Sequence, residues 1–345
     1  MSHEIQFGFS VPVFASGQSG LFRTPGWVKM NPQLALNLGQ LADVLGFDSL
    51  WVADHLMLGE GDAILEGWTT LSALASTTHR AKLGLIHQAH PLRHPALVAK
   101  MIATIDQISQ GRFIYFADYG RNAQEYRAYG IPWADESRDR IKQMLEGVRL
   151  MQALWQADGR LDYQGEFYCL SAARCVPKPW RRASPPIWFG EAEREILQNT
   201  AEFAQGWNSV PVTRAELATR LQALEKACQE CGRDYEELEK SLELQILIGA
   251  DRDGVRQTLR TIGKSFDEAV RGTDWYQWAV RNDCDDFSES SLDLRLGLFG
   301  TPRQIIDQLV DLVSMGITHF LLWFLDAPST NGMTMFMDEV APAFR

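Results

Sequence analysis

Short, almost wholly apolar runs alternate along this chain with longer stretches whose apolar residues recur at helical spacing. An apolar run without in–out alternation reads as a strand covered on both faces, the signature of a parallel sheet flanked by helices. On that basis strands are expected over 5–11, 49–53, 82–87, 112–117, 186–190, 206–210, 242–248 and 319–325. Helices are expected near 32–45, 68–77, 95–108, 138–155, 213–231, 303–315 and 331–340. Gly46, Gly111 and Gly316 stand where helices end, and Pro95 and Pro302 stand at first helical positions, where a missing N–H does no harm.

Two segments break the alternation. Residues 158–185 hold Tyr163-Gln164-Gly165-Glu166-Phe167-Tyr168 and then Pro177-Lys178-Pro179-Trp180, which reads as a hairpin and loop inserted before strand five. Residues 251–296 are polar, carry Trp275 and Trp278, and read as a helical insertion after strand seven. An open doubly wound sheet would place a glycine fingerprint after strand one. Here that strand leads instead to Pro12-Val13-Phe14-Ala15-Ser16-Gly17. The expectation is therefore an α/β fold, a (β/α)8 TIM barrel with insertions, forming one domain over residues 1–345.

Composition narrows the function. The net charge is −11, and no basic run offers a footprint for a phosphate backbone, so nucleic acid is not an expected partner. No stretch approaches the roughly 18 apolar residues needed to cross a bilayer. The start Met1-Ser2-His3-Glu4-Ile5 has no basic export signal, and cysteines 169, 175, 228, 231 and 284 make an odd set, so a cytoplasmic protein with reduced thiols and no membrane partner is expected. The Cys228–Cys231 spacing lies in a charged helical stretch with no second ligand pair, and the histidines show neither H-x-H nor H-E-x-x-H, so no metal is expected. Neither a nucleophile elbow nor a phosphate-binding loop is present.

In a barrel of this kind the chemistry sits at the C-terminal ends of the strands. That rule selects Asp54 and His55 after strand two and Ile86, His87 and His90 after strand three. It also selects Asp118 to Asn122 after strand four, Gly190, Glu191 and Ala192 after strand five, and Trp323 on strand eight. The histidines His55, His87 and His90 thus share one rim, where each serves either as an acid–base group near neutral pH or as a structural partner for loop backbone.

These same residues carry a resemblance. Asp48-Ser49-Leu50-Trp51-Val52-Ala53-Asp54-His55, Pro91-Leu92-Arg93-His94-Pro95-Ala96 and Asp106-Gln107-Ile108-Ser109-Gln110-Gly111-Arg112 resemble the bacterial luciferase-like flavin oxidoreductases. So do Glu125-Tyr126-Arg127-Ala128-Tyr129-Gly130, Pro186-Ile187-Trp188-Phe189-Gly190, Ala204-Gln205-Gly206-Trp207-Asn208, and the run from His319 to Pro328. The likeness covers nearly the whole chain in order. It implies a flavin across the barrel mouth, backed by a bulge with a non-prolyl cis peptide at Ile86–His87. By position it implies catalytic roles for His55, Asp54 and His87. It implies cofactor contacts from Ile86, His87, His90, Tyr119, Gly120, Arg121, Asn122, Gly190, Glu191 and Ala192, and a substrate pocket from Phe14, Trp323 and Trp275. A lid over 14–22 and around Trp275, Tyr276 and Trp278 would exclude water.

The resemblance splits between two chemistries. One uses reduced FMN and oxygen to oxygenate a small molecule, with the flavin delivered by a separate flavin reductase. The other uses the deazaflavin F420 for hydride transfer, and the Asp54–His55 pair resembles that branch too. Gly59 stands where those enzymes carry tryptophan, and Glu60, Asp62 and Asp118 make the mouth acidic, which suits FMN better than the oligoglutamate tail of F420. A third reading is a flavin-binding protein without turnover. Two departures from the family pattern stand out: Asp118-Tyr119-Gly120-Arg121 replaces a glycine-rich turn, and Glu191 replaces a second glycine. Arg121 then either pairs with a phosphate or is held by Asp118 or Glu125. Relatives also imply a homodimer built on barrel helices.

Overall fold

The computed structural model describes residues 4–14, 30–180, 184–264, 294 and 297–345. Among these, eight parallel strands close into a barrel: β1 (Gln6–Ser10), β2 (Ser49–Val52), β3 (Lys82–Leu85), β4 (Phe113–Asp118), β5 (Ile187–Gly190), β6 (Gly206–Ser209), β7 (Glu239–Ile248) and β8 (His319–Phe324). Each pairs with its sequence neighbour, and β8 returns to β1 in a register that sets Phe9 beside Leu322. β7 pairs with both β6 and β8, which closes the cylinder. The α/β barrel read from the apolar runs is the fold.

The helices follow the local signals. α1 (Pro32–Leu45) starts on Asn31, whose side chain accepts from the Leu34 N–H at 3.1 Å, and stops at Gly46, whose φ of 96° is open to glycine. α2 (Gly67–Thr77) and α3 (Pro95–Ile108) cover β2, β3 and β4. α4 (Ala123–Ala128) is a short helix directly after β4, and α5 (Ser137–Gln156) is the long one that follows. Residues Leu161–Gln164 and Cys169–Ala173 form the expected antiparallel hairpin before β5.

Two details differ from the sequence expectation, and part of a third lies outside the described residues. Strand three stops at Leu85 because the chain turns at Ile86–His87, a cis peptide, and Gln88–Ala89 pair with β4 instead. A helix unassigned from the sequence, Arg194–Phe203, joins β5 to β6. Of the insertion after β7, the helix Arg252–Lys264 is described, whereas Trp275, Tyr276 and Trp278 lie outside the described residues, as does 15–22 of the expected lid. No helix among the described residues is long and apolar enough to cross a membrane.

The barrel centre is filled by Trp51 and Trp188, whose ring centroids stand 5.2 Å apart, with Phe116 edge-on to Trp51 at 6.2 Å. Gly8 and Gly84 give the Trp51 indole its room, and Gly206 does the same for Trp188, since a Cβ at any of them would overlap the ring. Below, toward the strand N-termini, the Trp51 indole N–H donates to Ser49 Oγ, which bonds His319 Nε2 at 2.7 Å; His319 Nδ1 donates to Glu239 at 2.6 Å. The interior is thus closed by packing and a polar chain at one end, which leaves the other end to hold a cavity.

Candidate active site

A cavity of about 560 Å³ opens at the C-terminal mouth of the barrel. It falls within the roughly 300–1,000 Å³ usual for small-molecule sites. Its walls come from successive strand ends: Phe14 beyond β1, Ala53, His55, Leu58 and Gly59 beyond β2, Ile86, His87 and Ala89 beyond β3, and Asp118, Gly120, Arg121 and Asn122 from β4. Glu125 and Tyr126 of α4, Val210 and Pro211 beyond β6, Glu243 and Gln245 of β7, and Trp323 of β8 complete it. An open polar depression of about 660 Å³ around Glu202, Arg233 and Glu237, before β6 and β7, brings none of the candidate residues together.

His55 stands on this cavity with a third of its side chain exposed, its Nδ1 3.1 Å from the buried Glu125 Oε2. Glu125 also accepts the backbone N–H groups of Leu56 and Met57. Burial pushes its carboxyl upward, but the hydrogen bond and charge of His55 and the two backbone donors outweigh this and hold it below the ordinary range. A carboxylate on Nδ1 leaves Nε2 of His55 without a hydrogen-bond partner among the described residues, the arrangement that an acid–base imidazole requires.

His87, on the same cavity, donates from Nε2 to Glu243 Oε1 at 2.5 Å, and its ring lies edge-on to Phe116 at 4.9 Å. Burial works against the charged ring. The charge and hydrogen bond of Glu243, with Asp118 behind them, outweigh both burial and the opposing Arg121, so its proton is held more tightly than in water.

The polar end is crowded. Arg121 reaches Glu191 Oε1 at 2.8 Å and Asp118 Oδ2 at 3.9 Å, while Arg220 approaches the other Glu191 oxygen at 3.3 Å. Glu191 sits at φ 79°, a conformation that costs a side-chain-bearing residue on the order of 1 kcal/mol or more. The Trp207 indole N–H pins its carbonyl at 2.7 Å. The structure thus shows why a glycine would suit this position and what the carboxylate does there instead. Of the two partners expected for Arg121 at the surface, Asp118 is observed and Glu125 is not.

The other expected residues divide plainly. Ile86, Gly120, Asn122, Phe14 and Trp323 line the cavity, and the last two face each other at 5.9 Å between ring centroids. Asp54 does not reach it. Fully buried, Asp54 takes both guanidinium nitrogens of Arg93 at 2.8 and 2.9 Å, and Arg93 continues to Glu66 at 2.7 Å. His90 is also turned away, packed against Gly147 and bonded to the Tyr168 hydroxyl at 3.0 Å. Burial, with help from His94, pushes its pKa down to about 3, so it is a neutral ring in the scaffold. Tyr119 donates to Glu193 at 2.7 Å, and Gly190 and Ala192 do not border the cavity. Trp275 lies outside the described residues.

Sequence reasoning missed Glu125, Glu243, Gln245 and Arg93. Searching only beyond strand ends hid Glu243 and Gln245, which lie within β7. The signal was there: Leu242-Glu243-Leu244-Gln245-Ile246 alternates apolar and polar inside an otherwise apolar run. Glu125 stands in a helix that the hydrophobic pattern was too short to announce.

An isoalloxazine-like ring suits what is present. Ile86 and Ala89 offer an apolar wall, and Phe14, Leu58, Val210 and Trp323 shut out water. Within the walls, the Tyr126 hydroxyl and Gln245 Oε1 are buried and have no hydrogen-bond partner among the described residues. Buried polar groups ordinarily find a partner, and a ring edge bearing carbonyl and N–H groups supplies one.

Comparison with known proteins agrees with this geometry. The family model for luciferase-like monooxygenases matches residues 5–319. The chain is similar to an FMNH2-dependent dimethylsulfone monooxygenase from Pseudomonas putida, 28% identical over 346 residues, covering 94% of this chain and 92% of that protein. It is also similar to an F420-dependent glucose-6-phosphate dehydrogenase from Microbacterium testaceum, 22% identical over 325 residues, covering 92% and 95%. Among solved structures, the monooxygenase RslO1 from Streptomyces bottropensis shares the fold with a TM-score of 0.78 and 24% identity, over 99% of this chain and 100% of that one.

Proposed function

The chain belongs to the luciferase-like monooxygenase family and is an oxidoreductase, and from that premise we propose that it is a monooxygenase using reduced FMN and oxygen on a small organic substrate. One oxygen atom enters the substrate and the other leaves as water, the two electrons coming from the flavin. The observation that carries this reading is the pairing of a water-excluding apolar wall with the His55–Glu125 dyad on one cavity. Bound reduced flavin supplies the electrons that activate oxygen.

The protein's own residues do the rest. His55, steadied through Nδ1, presents Nε2 to the reacting atoms as donor or acceptor. His87 is a second acid–base group on the same wall. Phe14, Trp323 and Leu58 keep water away from the reacting centre. Arg121 is the cation available to a phosphate, shared with Glu191 and Asp118. Asp54 acts through Arg93 to hold the loop before His55 in place. The relative from Pseudomonas putida is named for reduced FMN, which supports delivery of the flavin by a separate reductase.

Hydride transfer with F420 is the second reading. A carboxylate-backed imidazole on the cavity and the Microbacterium testaceum relative favour it. Against it stands Asp118 on the cavity wall, with no arginine or lysine other than Arg121 among the described lining residues to receive a polyanionic tail. Anaerobic titration of the protein with reduced FMN and with F420, followed by admission of oxygen, separates the two. Retention of FMN, with oxygen uptake that rises when substrate is added, is the expected result. Retention of F420 alone, without oxygen uptake, would overturn the proposal in favour of hydride transfer, and binding without any turnover would reduce it to flavin storage.

A further inference from the structure

Glu243 occupies an inward-facing place within a barrel strand, where branched apolar residues normally pack. Its side chain is 2% exposed, so the charge has left water and must be matched inside. His87 and Asn208 hold it in one pose. His87 Nε2–H donates to Oε1 at 2.5 Å, Asn208 Nδ2 donates to the same oxygen at 3.2 Å, and Asn208 is itself fixed by the Ser241 hydroxyl at 2.7 Å.

The other nitrogen of His87 is treated differently. Nδ1 stands 3.9 Å from Asp118 Oδ2, near enough to feel the charge but beyond hydrogen-bonding reach. Among the described residues it has no hydrogen-bond partner, and the ring, 23% exposed, borders the cavity. A purely structural histidine is usually tied at both nitrogens or buried outright, as His319 is between Ser49 and Glu239.

We propose that Glu243 is a positioning residue that commits Nε2 of His87 and so makes Nδ1 the working acid–base atom toward the ligand of the cavity. This deepens the proposed function and rests on it only in taking the cavity as the seat of reaction. In the acid direction the proton passes from Nδ1 to an anionic oxygen or nitrogen of the ligand. The N–H electron pair stays on Nδ1, the imidazolium becomes a neutral ring with Nε2–H still on Glu243, and solvent restores the proton. The groups facing His87 are Glu243 from β7, Asp118 from the end of β4 and Arg121 beyond it. The two carboxylates hold the proton and the guanidinium opposes them, so the ring keeps its charge to a higher pH than an ordinary histidine.

The test reads the ring directly, in protein without flavin. Histidine side-chain nitrogen and proton resonances are followed from pH 5 to 9 in the unmodified protein, with His87→Gln identifying the signal. A midpoint above the ordinary histidine value is expected, with Nε2 protonated throughout. Glu243→Gln, nearly the same shape, should lower that midpoint by about one pH unit or more, because an opposite charge within hydrogen-bonding distance is lost. Glu243→Asp should restore part of it. Riboflavin, which lacks the phosphate, is then added to saturation, judged by its fluorescence, and should move the Nδ1 resonance more than the Nε2 resonance. An unchanged midpoint in Glu243→Gln, or bound riboflavin that leaves Nδ1 unmoved, overturns the inference. Failure of riboflavin and FMN to bind at all overturns the flavin reading instead, while the Glu243→Gln titration still decides whether the pair exists as described.

Discussion

The Nδ1–H of His55 donates to Oε2 of Glu125 across 3.1 Å, tying the loop beyond β2 to the helix that follows β4. The same carboxylate gathers the Leu56 and Met57 N–H groups, so one buried side chain sets both the tautomer of the imidazole and the path of the loop that carries it. Removing it therefore has two separable consequences.

Glu125→Ala leaves buried donors without an acceptor, and the expected cost is about 3 kcal/mol of folding stability. The loss reads out as a lower urea midpoint. Glu125→Gln keeps an acceptor for the loop and should lose less stability. His55→Asn should preserve the fold and lower turnover roughly 100-fold, the usual worth of a positioned acid–base group. Flavin affinity in that variant should change far less than turnover. If turnover survives His55→Asn, the imidazole has no part in the chemistry.

Much of this was readable before any coordinates. Most strands announced themselves because they are buried on both faces and so are largely apolar, and α1 and α3 carried their stop and start signals in Gly46 and Pro95. The site was legible only at strand ends. His55, His87 and Arg121 fall there, but Asp54 falls there too and faces Arg93 rather than the cavity, since position along a strand does not say which way a side chain turns. His90 shows the same limit, because the sequence does not reveal that Gly147 leaves it a niche under α5. Arg194–Phe203 escaped notice because a short helix between close strands offers few turns of periodicity.

Acid stability should depend on Asp43, which lies far from the cavity. Its carboxylate accepts the N–H groups of His79, Arg80 and Ala81 at 2.8, 3.0 and 2.7 Å, beneath the start of β3. Burial raises its pKa, but these donors, with the charge of Arg112, outweigh burial and bring it below the ordinary 3.8. A carboxyl lowered on folding stabilises fully above its unfolded pKa and loses that contribution as pH falls through the folded value. Asp43→Asn should be less stable than the unmodified protein at pH 7, and the gap should narrow below pH 4. Urea midpoints measured from pH 7 to pH 3 test this, and a gap of constant size would refute it.

The barrel centre makes a sharper demand. Gly84→Ala places a methyl group into the Trp51 ring, which is hemmed in by Trp188 and Phe116. Overpacking of this kind costs about 1–3 kcal/mol, and the upper end is expected because the obstacle is a rigid indole. Thermal unfolding followed by tryptophan fluorescence should show the loss together with an altered spectrum. Wild-type stability in this variant would mean that the barrel interior has slack the packing does not suggest.

Glu191 yields the prediction that bears most directly on the cofactor. Its carboxylate occupies Arg121 and Arg220 together and keeps a side chain in a backbone conformation better suited to glycine. Glu191→Gly relieves that backbone and removes the carboxylate nearest Arg121, leaving Asp118 at 3.9 Å as its remaining acidic neighbour and Arg220 with Glu216 at 2.9 Å, so that Arg121 meets an incoming anion with a weaker resident competitor. Affinity for FMN should rise by about tenfold, near 1.4 kcal/mol, while affinity for riboflavin, which carries no phosphate, should stay nearly constant. Arg121→Gln should do the reverse, lowering FMN toward the riboflavin value, and in the double variant the benefit of Glu191→Gly should largely vanish. Fluorescence titrations of both flavins across the four proteins decide the matter. A gain for riboflavin equal to that for FMN would show that Glu191 merely crowds the cavity. Loss of FMN binding in Glu191→Gly would show that the carboxylate holds the two arginines where the phosphate needs them.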